Sequence, residues 1–438
     1  MNGSPFPRYE GAWTDAPSRS VCASLPMSEW IPFIIVAVVA LPSGILWAQR
    51  RLSPQMVSVF TWGLVLHMSG SVARLQVIEQ LYSGVGDAKM YFETARIYAD
   101  QIRSLDFGFV LGEGTISGKW WGTQFICSVT SFVVFLTGES FQAGFLVFAL
   151  LSFLGLVLCV RAYGTAFGRQ AELNFARWVW LWPSLCFWPS SIGKDALMVL
   201  GVGLASYGYV GTGAARRWVT LAAGIALCAA IRPHVAAVIA GSVLAAESAS
   251  RGSFTNVRRV TGVLLAAGLA IYSIRAGLNQ MGLGDADLDG LQEQFDFRAG
   301  QTEQGGSRIA IASGWSAVPT AIVTILARPF PWEARGIAIL SAAEMTIFWG
   351  IALVQWRRIW PFIKAWRDSA FTRFAAPLTF GIALMYGLAF ANLGIIARQR
   401  SIILPFMLSL LAAIKLTRAS AVVAPTPVLS PARASFRP

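Results

Sequence analysis

The sequence has 438 residues, 55% of them hydrophobic and 13% charged, with a formal net charge of +13 and a mean hydropathy of +0.58. Soluble domains carry roughly 25% charged residues, so this composition excludes an ordinary soluble enzyme. Apolar runs of about 15–20 residues recur from Trp30 to beyond Leu411, which indicates a polytopic α-helical membrane protein rather than a barrel of weakly alternating strands.

Residues 1–28 are polar and rich in Pro and Ser, without the basic start and apolar core of a signal peptide. A first span is expected over about Trp30–Ala48, followed by a basic cytoplasmic turn at Arg50 and Arg51. The second span, about Met56–Val77, carries His67 and Arg74. Polar groups in lipid territory face protein or water, although an arginine near a span end can also snorkel. The loop of about 76–119 then lies outside and opens on Gly86-Asp87-Ala88, with Tyr91 one turn further on. Two short helices are expected there, around Ala88–Ser104 and just before Gly112. Arg161, Arg169 and Arg177 read as cytoplasmic, so two full crossings after Asp87 would put both ends on one side. Either Trp120–Thr137 is re-entrant or one of these two sides is misassigned, and the sequence leaves both open.

Gly193-Lys194-Asp195 opens a span from Ala196 to about Val210, and Arg216-Arg217 marks the next inner turn. Val219–Ile231 and Val235–Ala246 are short for a crossing. They flank Arg232-Pro233-His234, which fits one kinked helix or a hairpin with a charged apex. Another span is expected over Val260–Ala276. A second outer loop, about 277–335, holds Asp285, Asp287, Asp289, Glu293, Asp296 and Arg308. It ends in Arg328-Pro329-Phe330-Pro331-Trp332-Glu333, which breaks the helix twice. A span over Ile337–Val354 leads to the most basic inner loop, with Arg357, Arg358, Lys364, Arg367 and Arg373. The last two spans flank Asn392 to Arg400, and residues 418–438 read as a disordered tail. Residues 29–417 thus form an all-α transmembrane bundle of about eleven to thirteen helices, some short or re-entrant. Five unpaired cysteines and two histidines offer no metal-ligand cluster, and no phosphate-binding glycine motif is present, so neither metal nor cofactor is expected.

On this topology Asp87, Lys194, Asp195, Arg308, Arg328, Glu333, Arg398 and Arg400 fall at the outer face, with Arg232 and His234 near it. A carboxylate among arginines suits sugar transfer from a lipid phosphate. The carboxylate takes the proton of an acceptor hydroxyl, and arginines hold the departing phosphate. Each motif also has a plainer reading. Asp87 and Asp195 can cap helices, Lys194 can snorkel, and Arg232-Pro233-His234 can be an interfacial kink. Arg328 and Glu333 can form a local ion pair, and Arg398-Gln399-Arg400 can be a topology signal, although on the outer face it runs against the charge rule.

The Gly-Asp-Ala-x-x-Tyr loop, the Lys-Asp pair opening a span and the late Arg-x-Arg together resemble the GT-C membrane glycosyltransferases. The Arg-Pro-Phe-Pro-Trp-Glu and Asn-x-Gly-x-x-x-Arg-Gln-Arg segments are similar to bacterial surface-polysaccharide membrane proteins. The resemblance implies that Asp87 is the catalytic base or orients the acceptor, and that Lys194, Arg398 and Arg400 meet the phosphate of a polyprenyl-linked donor. Two features depart from that family: Asp87 has no neighbouring acid, and two spans precede its loop. The implied protein sits in the inner membrane with its site facing outward. Its partners would be a lipid-linked sugar donor, a glycan or lipid acceptor, membrane lipids and envelope-polysaccharide assembly proteins, with no nucleic acid. A polymerase or ligase using a pyrophosphate-linked oligosaccharide, a lipid-linked sugar flippase and a non-catalytic scaffold remain as alternatives.

Overall fold

A computed structural model describes residues 27–81, 86–113, 115, 119–211, 215–250, 268, 317–336, 338–390 and 392–416. Among the described residues the regular structure is helical, without strands. The expected span Val260–Ala276, most of the acidic second outer loop and Arg308 lie outside the described residues.

Helix α1 (Met27–Arg51) runs into α2 (Pro54–Leu81) across a two-residue turn beside Arg50 and Arg51, with Pro54 at the first position of α2. Ile31, Ile34, Ile35, Val38 and Val39 leave one side of α1 bare, the lipid-facing stripe of a peripheral span. The polar excursion is α3 (Asp87–Arg103) and α4 (Gly108–Leu111), followed by α5 (Thr123–Thr137). The centre is built from α6 (Phe141–Phe167), α7 (Arg169–Trp180), the short α8 (Pro183–Phe187), α9 (Lys194–Val210), α10 (Ala215–Ile231) and α11 (Pro233–Ser248). After the undescribed segment come α12 (Ala317–Ala327), α13 (Ala338–Val354), α14 (Trp356–Lys364) and α15 (Ala370–Ala389). The chain closes with α16 (Leu393–Gln399), a 3-10 turn at Arg400–Ile402, and α17 (Leu404–Ala413).

Small residues let the central helices meet. A methyl group on Gly203 of α9 would stand 2.1 Å from the carbonyl oxygen of Gly155 on α6, and one on Gly224 of α10 only 2.5 Å from the amide nitrogen of Ala205. Hydrophobic driving force between helices is weak in lipid, where such close backbone contact does the holding.

The helix ends sort into two levels. Arg74 near the end of α2, the start of α3, the start of α9, the α10–α11 break, the start of α13 and Arg398 gather at one end, around a cavity. Arg50 and Arg51, the α6–α7 turn and the basic segment after α13 lie at the other, where Phe167 packs on Phe362 with ring centroids 5.6 Å apart. Helix α13 joins the two levels over about 25 Å at 1.5 Å per residue.

Among the described residues, four helices are by length and composition long and apolar enough to cross a membrane: α1, α2, α6 and α15. The count reaches six if two bent pairs are each one span: α13 with α14 at 84°, and α16 with its 3-10 turn against α17 at 66°. This is fewer than the eleven to thirteen expected of the whole chain: α5, α9, α10 and α11 have only 15 to 17 residues each, and the expected span Val260–Ala276 lies outside the described residues. Helix α5 starts and ends at the cavity level. Thr123 at its start accepts from Lys194 Nζ at 3.1 Å, and just past its end Ser140 Oγ donates to the Glu29 carbonyl at the head of α1, at 2.6 Å. The apolar run from Trp120 to Thr137 therefore begins and ends at one level of the bundle, as a re-entrant segment would. Arg232 alone separates α10 from α11, and these two helices pack on each other, so the hairpin with a charged apex is the arrangement present.

Candidate functional site

Three chain breaks deliver the polar groups. Asp195 stands in the first turn of α9, where a carboxylate complements the exposed amides of a helix start. Arg232 precedes Pro233, and a residue before proline is driven out of the helical region. It adopts φ −144 and ψ 89, which interrupts the helix and frees its side chain at the break. Asn392 caps α16, its Oδ1 accepting from Gly394 N at 2.8 Å and Ile395 N at 3.3 Å, which starts the short helix that carries Arg398.

These breaks meet in a buried network. The Asp195 side chain, 3% exposed, pairs with Arg398, lies 3.8 Å from Arg232 Nη2 and accepts from Gln399 Nε2 at 3.4 Å. Arg232 also donates to Tyr386 Oη at 3.0 Å and to the Gln399 side-chain oxygen. Helices α9, α11, α15 and α16 are thereby tied at one point, and neither carboxylate oxygen of Asp195 is left open. A charge removed from water this completely persists only when paired and hydrogen-bonded.

The cavity beside the network holds about 320 Å³ and is lined by Arg74, Asp87, Trp188, Ser191, Asn392 and Arg398, with backbone from Gly86 and Gly394. Asp87 occupies the first helical position of α3 and is exposed; Gly86 is the cap residue, and no side chain caps this helix. The capping alternative for Asp87 is thus not the arrangement present. Tyr91, one turn further, is buried, and burial followed by the nearby Asp87 charge pushes its phenol well above the ordinary range. Gly193 sits between the walls: a methyl group there would be 3.8 Å from Arg398 Nη2 and 3.9 Å from Tyr91 Cε2. Lys194 interacts electrostatically with Asp87 and Asp195. Among the described residues, four cations (Arg74, Lys194, Arg232 and Arg398) thus surround two carboxylates, Asp87 and Asp195. The surplus of positive charge suits an anionic ligand, and the solvent-facing carboxylate at the rim can accept a proton.

Asp87, Tyr91, Lys194, Asp195, Arg232 and Arg398 are therefore brought together. Others are not. Arg400 is fully buried and turned away, donating to the carbonyls of Ile325, at 2.6 Å, and Arg328. Successive residues of a helix turn by about 100°, so side chains two apart face different ways. Arg328 and Glu333 close on each other, with Arg328 Nε 3.0 and 3.1 Å from the two carboxylate oxygens, and Phe330 N also donates to Glu333 at 3.1 Å. That ion-paired turn, tied to Arg400 through the Arg328 carbonyl, lies outside the cavity wall. His234 rests edge-on to Tyr386, with ring centroids 6.3 Å apart, and lines no part of the cavity.

Arg74 joins the site without having been counted in it. It is 7% exposed, with its guanidinium 4.9 Å from the Trp188 ring and 5.2 Å from that of Phe187. It does not snorkel to the surface; the aromatic stack and the Asp195 charge hold it at the cavity. Its signal in the sequence is an arginine inside an apolar run, which by default marks function. Gln399 and Tyr386 carry no such signal. Among the described residues, no three His, Cys, Asp or Glu side chains form a metal-holding group.

No family model, curated protein or solved structure matches the chain.

Proposed function

We propose that this chain is a membrane glycosyltransferase of the GT-C kind, which moves a sugar from a polyprenyl-phosphate donor to a glycan or lipid acceptor at the outer face of the membrane. One observation carries the reading. Of the two carboxylates at the site, Asp195 is consumed by Arg398, Arg232 and Gln399, while Asp87 faces the cavity's solvent among cations. The acceptor hydroxyl attacks the anomeric carbon and forms the new glycosidic bond. The bond from that carbon to the phosphate oxygen breaks, and the lipid phosphate leaves with the electron pair. The hydroxyl proton passes to Asp87, while Arg74, Lys194 and Arg398 hold the departing phosphate. General base catalysis contributes roughly 10²–10⁴-fold.

The test uses proteoliposomes of the full chain with a radiolabelled polyprenyl-phosphate sugar. Asp87→Asn is expected to lose transfer by roughly 10²-fold or more, with unchanged expression and elution. Activity within about twofold of the native protein would remove Asp87 as the base. If only a pyrophosphate-linked oligosaccharide serves as donor, the polymerase or ligase reading replaces this one.

A further inference from the structure

At the end of the bundle away from the cavity, α12, α13, α14, α15 and α17 enclose an apolar groove of about 680 Å³. None of its lining residues is charged; the floor includes Phe348, Ala352, Ala376 and Met407. Its rim is of a different character. Trp356 and Trp366 line it toward the basic segment, and both Trp356 and Trp360 are more than two-fifths exposed. Lys364 lies 5.1 Å from the Trp360 ring, and Arg367 lies 5.1 Å from that of Trp366. An adjoining hollow of about 320 Å³ holds Arg358, Asp368 and Ser369 and shares Phe362 and Thr372 with the groove. No salt bridge engages Arg358, Lys364 or Arg367 among the described residues.

We infer that this groove is a binding site for one anionic diacyl phospholipid, with its phosphate on Arg358, Lys364 and Arg367 and its acyl chains between α13 and α15. The rim cations and interfacial tryptophans supply the complementarity that such a headgroup requires. Depth decides against the isoprenoid tail of a sugar donor. From Phe348 to Trp356 on α13, and from Thr372 to Phe380 on α15, the groove runs about 12 Å, close to one leaflet of a roughly 30 Å hydrocarbon core. Its mouth lies at the basic end, whereas a donor held by Arg398 has its phosphate at the opposite end. The site is thus independent of the catalytic proposal.

The experiment is native mass spectrometry of the full chain released from nanodiscs of phosphatidylcholine doped with phosphatidylglycerol, then challenged with polyprenyl phosphate. One phosphatidylglycerol is expected to stay bound in preference to phosphatidylcholine. Arg358→Gln, Lys364→Gln and Arg367→Gln should each weaken that preference roughly fivefold, and all three together should abolish it. Ala376→Trp, which fills the tail groove and leaves every cation in place, should also lose the lipid. The glutamine variants alter exposed side chains, so they test the idea even if Ala376→Trp fails to fold. Equal retention of both phospholipids, displacement by polyprenyl phosphate, or full retention in the triple variant would each overturn it.

Discussion

Arg398 and Arg400 sit two residues apart yet have different neighbours. The first pairs with Asp195 at the cavity; the second satisfies carbonyls at the end of α12. Replacing Arg400 with alanine leaves buried acceptors unmet, at roughly 1–3 kcal/mol each. Arg400→Ala is therefore expected to unfold at a lower temperature in detergent while the surviving protein keeps its donor KM. Asp195→Asn strips the counter-charge from two buried guanidiniums and is expected to cost roughly 3–5 kcal/mol, seen in the same melt. If Arg400→Ala kept its stability and lost donor use, Arg400 would belong to the site after all. Both arginines were legible in the sequence as unusual outer-face cations. Which way each points was legible only from their spacing, and the partners came from far along the chain. Likewise Arg74 announces itself as a charge in an apolar run, but nothing local to it names Trp188.

Helix-breaking residues carried most of the readable information about elements. The Arg232-Pro233 step and the double-proline turn after Arg328 both fall where the sequence places them, whereas the cap at Asn392 emerges only from the structure. What the sequence left open at α5 was depth. An apolar run of 15 residues has the same composition whether it crosses or turns back, and only the Lys194–Thr123 and Ser140–Glu29 contacts decide. The turn after α12 supports a pH test. Burial alone would raise the Glu333 carboxyl, but hydrogen bonds from Arg328 and the Phe330 amide, with the Arg328 charge, hold it below its usual 4.5. The stabilisation is thus complete above pH 4.5 and fades as pH falls through the lowered value. The melting-temperature gap between the native protein and Glu333→Gln is expected at neutral pH and should vanish on acidification. A gap that widens in acid would contradict the pairing.

Over the whole molecule, the cavity and the basic helix α14 occupy opposite ends of α13. Basic loops stay on the cytoplasmic side, so Lys89→Cys, beside Asp87, should react with an impermeant maleimide on intact cells. Arg357→Cys should react only after permeabilisation. The four cysteines among the described residues are buried, and Cys22 is replaced by serine in both variants, so the background stays low. Labelling of both positions from the same side would invert or break the topology on which the outward-facing site depends.

The glycine contact between Gly155 and Gly203 leaves no slack between α6 and α9. If the proposed sugar transfer holds, that pair cannot slide apart to admit a bulky substrate. On that reading the wall free to yield is α3, whose start lines the cavity and whose layer with α5 is tied to the rest by contacts such as Gly122 N to the Ala230 carbonyl and Lys194 Nζ to Thr123. On the proposed function, admission of the substrate would then be set by how readily those moorings let go.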